Sequence, residues 1–158
     1  GNLKIGMKLE KNPENVEQHV SAIAHSFREK ATDKNITIDI AAQENVKLNA
    51  DWQMMQKVFS FLFDNAIKFS PENENVGVII QKHDRNCIIK IQNQGKIISP
   101  DWINKIFDEF AIRDIMHHQK GQGISLAIAR HIVEHHDGTI RVESSEENGT
   151  IFYIKIPL

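Results

Sequence analysis

The clearest hydrophobic pattern in the chain runs from Asp51 to Pro71. Met55, Phe59, Leu62, Ala66 and Phe69 recur at three- and four-residue spacing, which places them on one face of a helix and predicts that face as core. Asp51 precedes the run as a capping residue. Phe61, Asn65 and Lys68 form the adjacent stripe and are expected to look outward together. An earlier helix is predicted from Asn12 to about Asp33. Asn12 would cap it, Pro13 would occupy its first turn, and Glu14 would sit near its positive dipole end. Its buried stripe would be Val16, Val20, Ile23, Ala24 and Phe27. A third long helix should start near Gly123 and end by Gly138, a good terminator.

Between these helices the period changes from helical to alternating. "ITIDI" at 36–40 reads as a strand, with "VKL" at 46–48 as a short partner. "VGVIIQK" and "CIIKIQN" are joined by the polar link His83–Asn86, which predicts a hairpin. "TIRVES" and "TIFYIKIP" make a second hairpin around Glu146–Gly149. A loop through Gly95 and Pro100 leads to a short helix at 101–106, and residues 107–121, without clean periodicity, read as a mobile segment. The elements add up to an α+β fold, a two-layer sandwich. It would have a mixed, mostly antiparallel sheet with three main helices on one face, in one domain covering residues 1–158.

Composition changes this picture little. A net charge of −2 argues against non-specific nucleic-acid binding, which needs a strongly basic surface. The single cysteine, Cys87, rules out an internal disulfide and fits a reducing, cytoplasmic compartment. No apolar run approaches the ~20 residues of a membrane span, and no signal peptide is visible.

The chemistry lies in two stretches. In "DNAIKFSP", Asn65 and Lys68 stand one helical turn apart, and an amide with an ammonium can hold a metal and a phosphate. In "KGQGISLAI", Gly121 and Gly123 open a helix whose backbone N–H groups and dipole attract phosphate. The pair reads as a nucleotide site. From spacing alone, Asn65 and Lys68 read equally well as polar positions on a helix exterior, and the glycines as an ordinary loop.

Five landmarks taken together, "DNAIKFSP", "NQGKIISPDWINKIFDEF", "FDEF", "GQGISLAI" and "HDGTIRVESSEENGTIFYIKIP", resemble in kind and order those of the ATP-binding catalytic domain of bacterial sensor histidine kinases. That domain belongs to the superfamily of gyrase B, Hsp90 and MutL. The resemblance implies a cofactor, Mg·ATP, with a lid over it. Asn65 would hold Mg²⁺ through a neutral oxygen, Lys68 would meet phosphate, and Asn93 and Gly95 would line the adenine loop with Ile97. Phe107 and Phe110 would anchor the base of the lid, and Arg113 and Lys120 would lie within it. Gly121, Gln122, Gly123 and Ile124 would wrap the phosphates. The implied partners are a separate dimerisation domain bearing the phosphoacceptor histidine and a response regulator, and the fragment itself is expected to be a monomer.

Three departures, at Asn93, Ile97 and Phe61, weaken the nucleotide reading, and a fourth at Ser125 is mild. Asn93 stands where the family has an aspartate that accepts from the adenine amino group. A charged acceptor contributes ~1.5–3 kcal/mol against ~0.5–1.5 for a neutral one, so the expected loss is about tenfold in affinity. Asn93 also presents a donor, which opens a different base edge. Ile97 replaces a glycine, and Ser125 replaces another more mildly. Phe61 stands one turn before Asn65, where ATPases of the superfamily carry a water-activating glutamate; its presence argues against hydrolysis as the purpose.

None of the histidines reads as the phosphoacceptor. His25, the best placed, is followed by Ser26, Phe27 and Arg28 without the usual glutamate and proline. His117–His118 and His135–His136 read as solvated pairs rather than metal ligands. The leading expectation is a histidine kinase catalytic domain; the alternative is a degenerate regulatory or protein-interaction module that binds nucleotide weakly or not at all. A serine-directed anti-sigma-type kinase is a third reading, disfavoured by the lid and closing hairpin.

Overall fold

The structure, a computed structural model, describes residues 8–95 and 126–158. Its elements in chain order are β1 (Asn12–Asn15), α1 (Val16–Ser26), α2 (Arg28–Asp33), β2 (Thr37–Ala42), β3 (Lys47–Ala50) and α3 (Trp52–Phe69). They continue with β4 (Asn75–His83), β5 (Asn86–Asn93), α4 (Leu126–His135), β6 (Thr139–Ser145) and β7 (Gly149–Pro157).

The main sheet has five strands in the order β2-β4-β5-β7-β6. β2 runs parallel to β4, and the remaining neighbours are antiparallel. Alternation along the strands separates two faces. Val76, Val78, Ile80, Cys87, Ile89, Ile91, Phe152, Ile154 and Ile156 are buried, while the intervening Ile79, Lys90, Tyr153 and Arg141 are partly or fully exposed. The helices cover the buried face, so the expected mixed, two-layer α+β sandwich is what the chain forms.

α3 starts as its sequence predicts. Asp51 is extended and its carboxylate accepts from the Met54 N–H at 3.1 Å. Met55, Val58, Phe59, Leu62 and Phe63 are all but fully buried. Phe69 corrects the expected stripe, because it is 51% exposed. It is the last residue of the helix, with no later turn to shield it, and the Lys68 ammonium lies 5.7 Å from its ring centre.

The N-terminal region differs from expectation in three respects. Residues 12–15 form a strand paired with β3, and the helix is capped by Asn15, whose side chain accepts from the Gln18 N–H at 2.9 Å. Two asparagines three residues apart offered the same capping chemistry, and Pro13 suits an edge strand as well as a first helical turn. The indole of Trp52 donates to the Asn12 carbonyl and fastens β1 in place. The helix then breaks at Phe27, separating α1 from α2. Finally, the 46–48 segment belongs with β1 rather than with β2.

The turns are specific. The β4–β5 link narrows to Asp84 and Arg85, both at positive φ (49° and 64°), the backbone that a two-residue hairpin with matching twist requires. α4 ends before Gly138, but the left-handed residue is Asp137 (φ 61°). Gly138 N–H donates back to Val133 and Asp137 N–H to Glu134, closing the helix end.

Candidate functional site

Asn65 and Lys68 occupy the last turns of α3, half-buried and exposed respectively. Among the described residues, neither side chain has a hydrogen-bond or ion-pair partner, and the Lys68 ammonium lies near the Phe69 ring. The Asn65 oxygen has the hardness that a magnesium ion asks of a ligand, and a single neutral protein oxygen suits an ion whose other ligands are phosphate and water. Phe61, one turn earlier, is half-buried and packs against the core. It adds no polar atom to the neighbourhood of Asn65.

The end of β5 abuts the end of α3. Gly95 has φ 136°, and a Cβ there would stand 2.5 Å from the Phe69 carbonyl oxygen. Only glycine allows this approach, and it brings the Asn93–Gly95 loop against the helical turn that carries Lys68. The structure thus joins two motifs that the sequence kept apart.

Asn93 is 4% exposed. Its amide nitrogen donates to the Gln94 carbonyl at 2.9 Å. A carbonyl oxygen only accepts, so it must face the nitrogen, and the Asn93 side-chain oxygen is turned elsewhere. Among the described residues that oxygen has no hydrogen-bond partner. One of the two amide N–H donors is therefore used within the chain, and the oxygen keeps its acceptor capacity toward the described residues.

Two neighbours of Asn93 were not singled out from the sequence. Thr150 stands opposite it across the β5–β7 ladder, is buried, and shares a hydrogen bond of 3.1 Å with Ser144. Gly149, at φ 66°, lets β7 pass so close that a Cβ would overlap the Asn93 carbonyl. The signal was the "NGT" turn of the closing hairpin, read only as a turn.

The expected contacts Ile97, Phe107, Phe110, Arg113, Lys120, Gly121, Gln122, Gly123 and Ile124 lie outside the described residues, as do Ser125 and His117–His118. The solvated reading of His135–His136 needs correction at His136, which is 3% exposed. Its Nδ1 faces the Ile132 carbonyl at 2.7 Å and its Nε2 accepts from the Asp51 N–H at 2.9 Å. Burial pushes its pKa below the ordinary value, helped by the positive charge of Lys11, against opposing pulls from Ile132 and Asp51. His25 is exposed on α1.

A groove of about 690 Å³ lies along α3, lined among others by Phe27, Lys30, Met54, Lys57, Phe61 and Asp64. Asn65, Lys68 and Asn93 do not line it, so it is separate from the candidate nucleotide contacts except at Phe61.

The chain as a whole has counterparts among known proteins. The model of the histidine kinase-, DNA gyrase B- and HSP90-like ATPases matches residues 50–158. The chain belongs to this family. Its relatives include Histidine kinase P4 of Formosa agariphila, 33% identical over 150 residues that make 91% of this chain and 11% of that protein. The sensor histidine kinase CusS of Escherichia coli O6:H1 is 31% identical over 94% of this chain and 31% of its own. The catalytic domain of histidine kinase ThkA superposes with a TM-score of 0.84 at 27% identity, covering 94% of this chain and 98% of that one. The chain thus spans a tenth to a third of the length of these curated relatives, and nearly all of a catalytic domain. Among the described residues, no helix is long and apolar enough to cross a membrane.

Proposed function

We propose that this chain is the catalytic domain of a sensor histidine kinase, binding Mg·ATP and presenting the γ-phosphate to a histidine on a separate dimerisation domain. The observation that carries the reading is the contact of the Asn93–Gly95 loop with the end of α3. It brings the loop of Asn93 against the helix end that carries Lys68, which supports reading Asn93 as base acceptor, Asn65 as metal ligand and Lys68 as phosphate-binding cation. Asn93 would accept from the adenine amino group, Asn65 would hold the metal, and Lys68 would meet phosphate oxygens. Magnesium, when bound with the nucleotide, supplies positive charge against the oxygens of the transferring group. The residues on this chain then have little chemistry to do beyond placing the nucleotide and neutralising its charge. Phe61 supplies no base to activate water, which favours transfer over hydrolysis. Relay to a response regulator is part of the same reading, supported by the ThkA structure solved in complex with response regulator protein TrrA.

Calorimetric titration with a non-hydrolysable ATP analogue, with and without Mg²⁺ and alongside Asn65→Ala, tests this function. Micromolar to sub-millimolar binding that needs Mg²⁺ and collapses in the variant is expected. No binding at millimolar nucleotide sinks it and favours the regulatory-module reading, which Phe61, Asn93 and Ile97 motivate.

A further inference from the structure

α2 ends in a closed turn that aims one lysine at the other end of the site. Asn35 takes the left-handed conformation (φ 53°), Asn35 N–H donates to Thr32 and Ile36 N–H to Ala31. This pair of bonds terminates the helix with Lys34 as its last, half-buried cap. From there the Lys34 ammonium reaches three carbonyls at the end of α3: Ile67 at 2.8 Å, Lys68 at 3.2 Å and Ser70 at 2.5 Å. An ammonium has three donors, and all three are used. The last carbonyls of a helix have no partner within it, so a cation from elsewhere that collects them fixes both their direction and the helix end. The carbonyl between them, that of Phe69, is the one against which Gly95 rests. The following loop is tied to the same turn, with Asn73 N–H donating to the Lys34 carbonyl and the Asn35 amide to the Asn73 side chain at 2.7 Å.

We infer that Lys34 is a positioning residue for nucleotide binding. By clamping the Ile67–Ser70 carbonyls it holds the turn carrying Lys68 in register with the Asn93–Gly95 loop. The inference rests on the ATP reading above. Lys34 itself touches no ligand; its three donors face the protein. A ligand that engages only the base loop should be indifferent to it, while one that bridges the base loop and α3 should feel its loss.

The test compares Lys34→Met with the unaltered chain by calorimetry, using two probes: adenosine, and a non-hydrolysable ATP analogue with Mg²⁺. Circular dichroism at the titration temperature confirms that both proteins are folded. The expected result is about a tenfold loss for the ATP analogue with adenosine affinity held within about twofold. Lys34→Arg, which keeps the charge but spreads its donors over a planar fork, should lose less in the same direction. It serves as the measured variant if the methionine variant does not fold. Equal affinities for the ATP analogue in the folded variant and the unaltered chain overturn the inference, as does a parallel loss for both probes, the mark of general destabilisation. Absence of ATP-analogue binding by the unaltered chain overturns the ATP reading and this inference with it.

Discussion

The imidazole of His136, at the end of α4, accepts the backbone N–H of Asp51, the residue that caps α3. The carboxylate of Asp51 in turn accepts from Glu10 and Met54. Burial opposes the Asp51 charge, but these N–H donors together with His136 hold its pKa below the usual carboxylate value. Three segments distant in the chain therefore share one small polar cluster.

The cluster makes stability fall with acid. The folded-state pKa of His136 is depressed, so as pH drops below 6.5 the unfolded chain takes up a proton that the folded one resists. Stability from this group is complete above that value and declines on the way down to the folded-state pKa. Asp51 adds a second decline in the same direction below 3.8. His136→Leu should lose about 1–3 kcal/mol at pH 8, because the Asp51 N–H is left buried without its acceptor. Urea denaturation at pH 8, 6.5 and 5 should show a shallower pH slope in the variant; an unaltered slope would refute the role of His136.

Asn93→Asp should tighten binding of adenine nucleotides, by up to about tenfold, since a charged acceptor replaces a neutral one. The carboxylate lacks the amide that donates to Gln94, so part of the gain is spent turning it away from that carbonyl. Titration of the variant with the ATP analogue reads the difference. Looser binding would mean that the Gln94 contact matters more than acceptor strength.

Gly149→Ala should destabilise the fold by about 1–3 kcal/mol, with strained backbone at φ 66° and overlap with the Asn93 carbonyl both contributing. A denaturation midpoint within error of the unaltered chain would show that β7 can shift to make room.

Cys87 is fully buried, and burial pushes its thiol up to about 12. At pH 8 it is protonated and inaccessible, so labelling by a thiol reagent should proceed only as fast as the chain opens. Rapid stoichiometric labelling of the native protein would contradict the packing of β5.

Local pattern carried much of this fold. The stripe of Met55, Phe59 and Leu62 and the alternation in β4, β5 and β7 are properties of neighbouring residues, and they place helices and strands without knowledge of the rest. What escaped depends on distant partners. "NPEN" has no alternation to mark it as a strand, and becomes one because Lys47–Ala50 lies beside it. His136 looks like any polar residue at a helix end until Asp51 arrives from 85 positions away. The site shows the same division. Asn65, Lys68, Asn93 and Gly95 were legible through motif order, while helix spacing alone left Asn65 and Lys68 open. Thr150 and Lys34 act only through contacts across the fold, for which no short pattern exists.

The insertion of β7 between β5 and β6 also governs the order of events during synthesis. A nascent chain that has emerged only through α4 holds β2, β4 and β5, with the hydrogen-bonding edge of β5 open along alternating apolar residues. That edge is the kind that other chains pair with. Until residues 149–157 leave the ribosome, Asn93 lacks the strand that pairs beside it. The last strand to be made is therefore the one that closes the sheet, and until it arrives the β5 edge stays open to pairing with other chains.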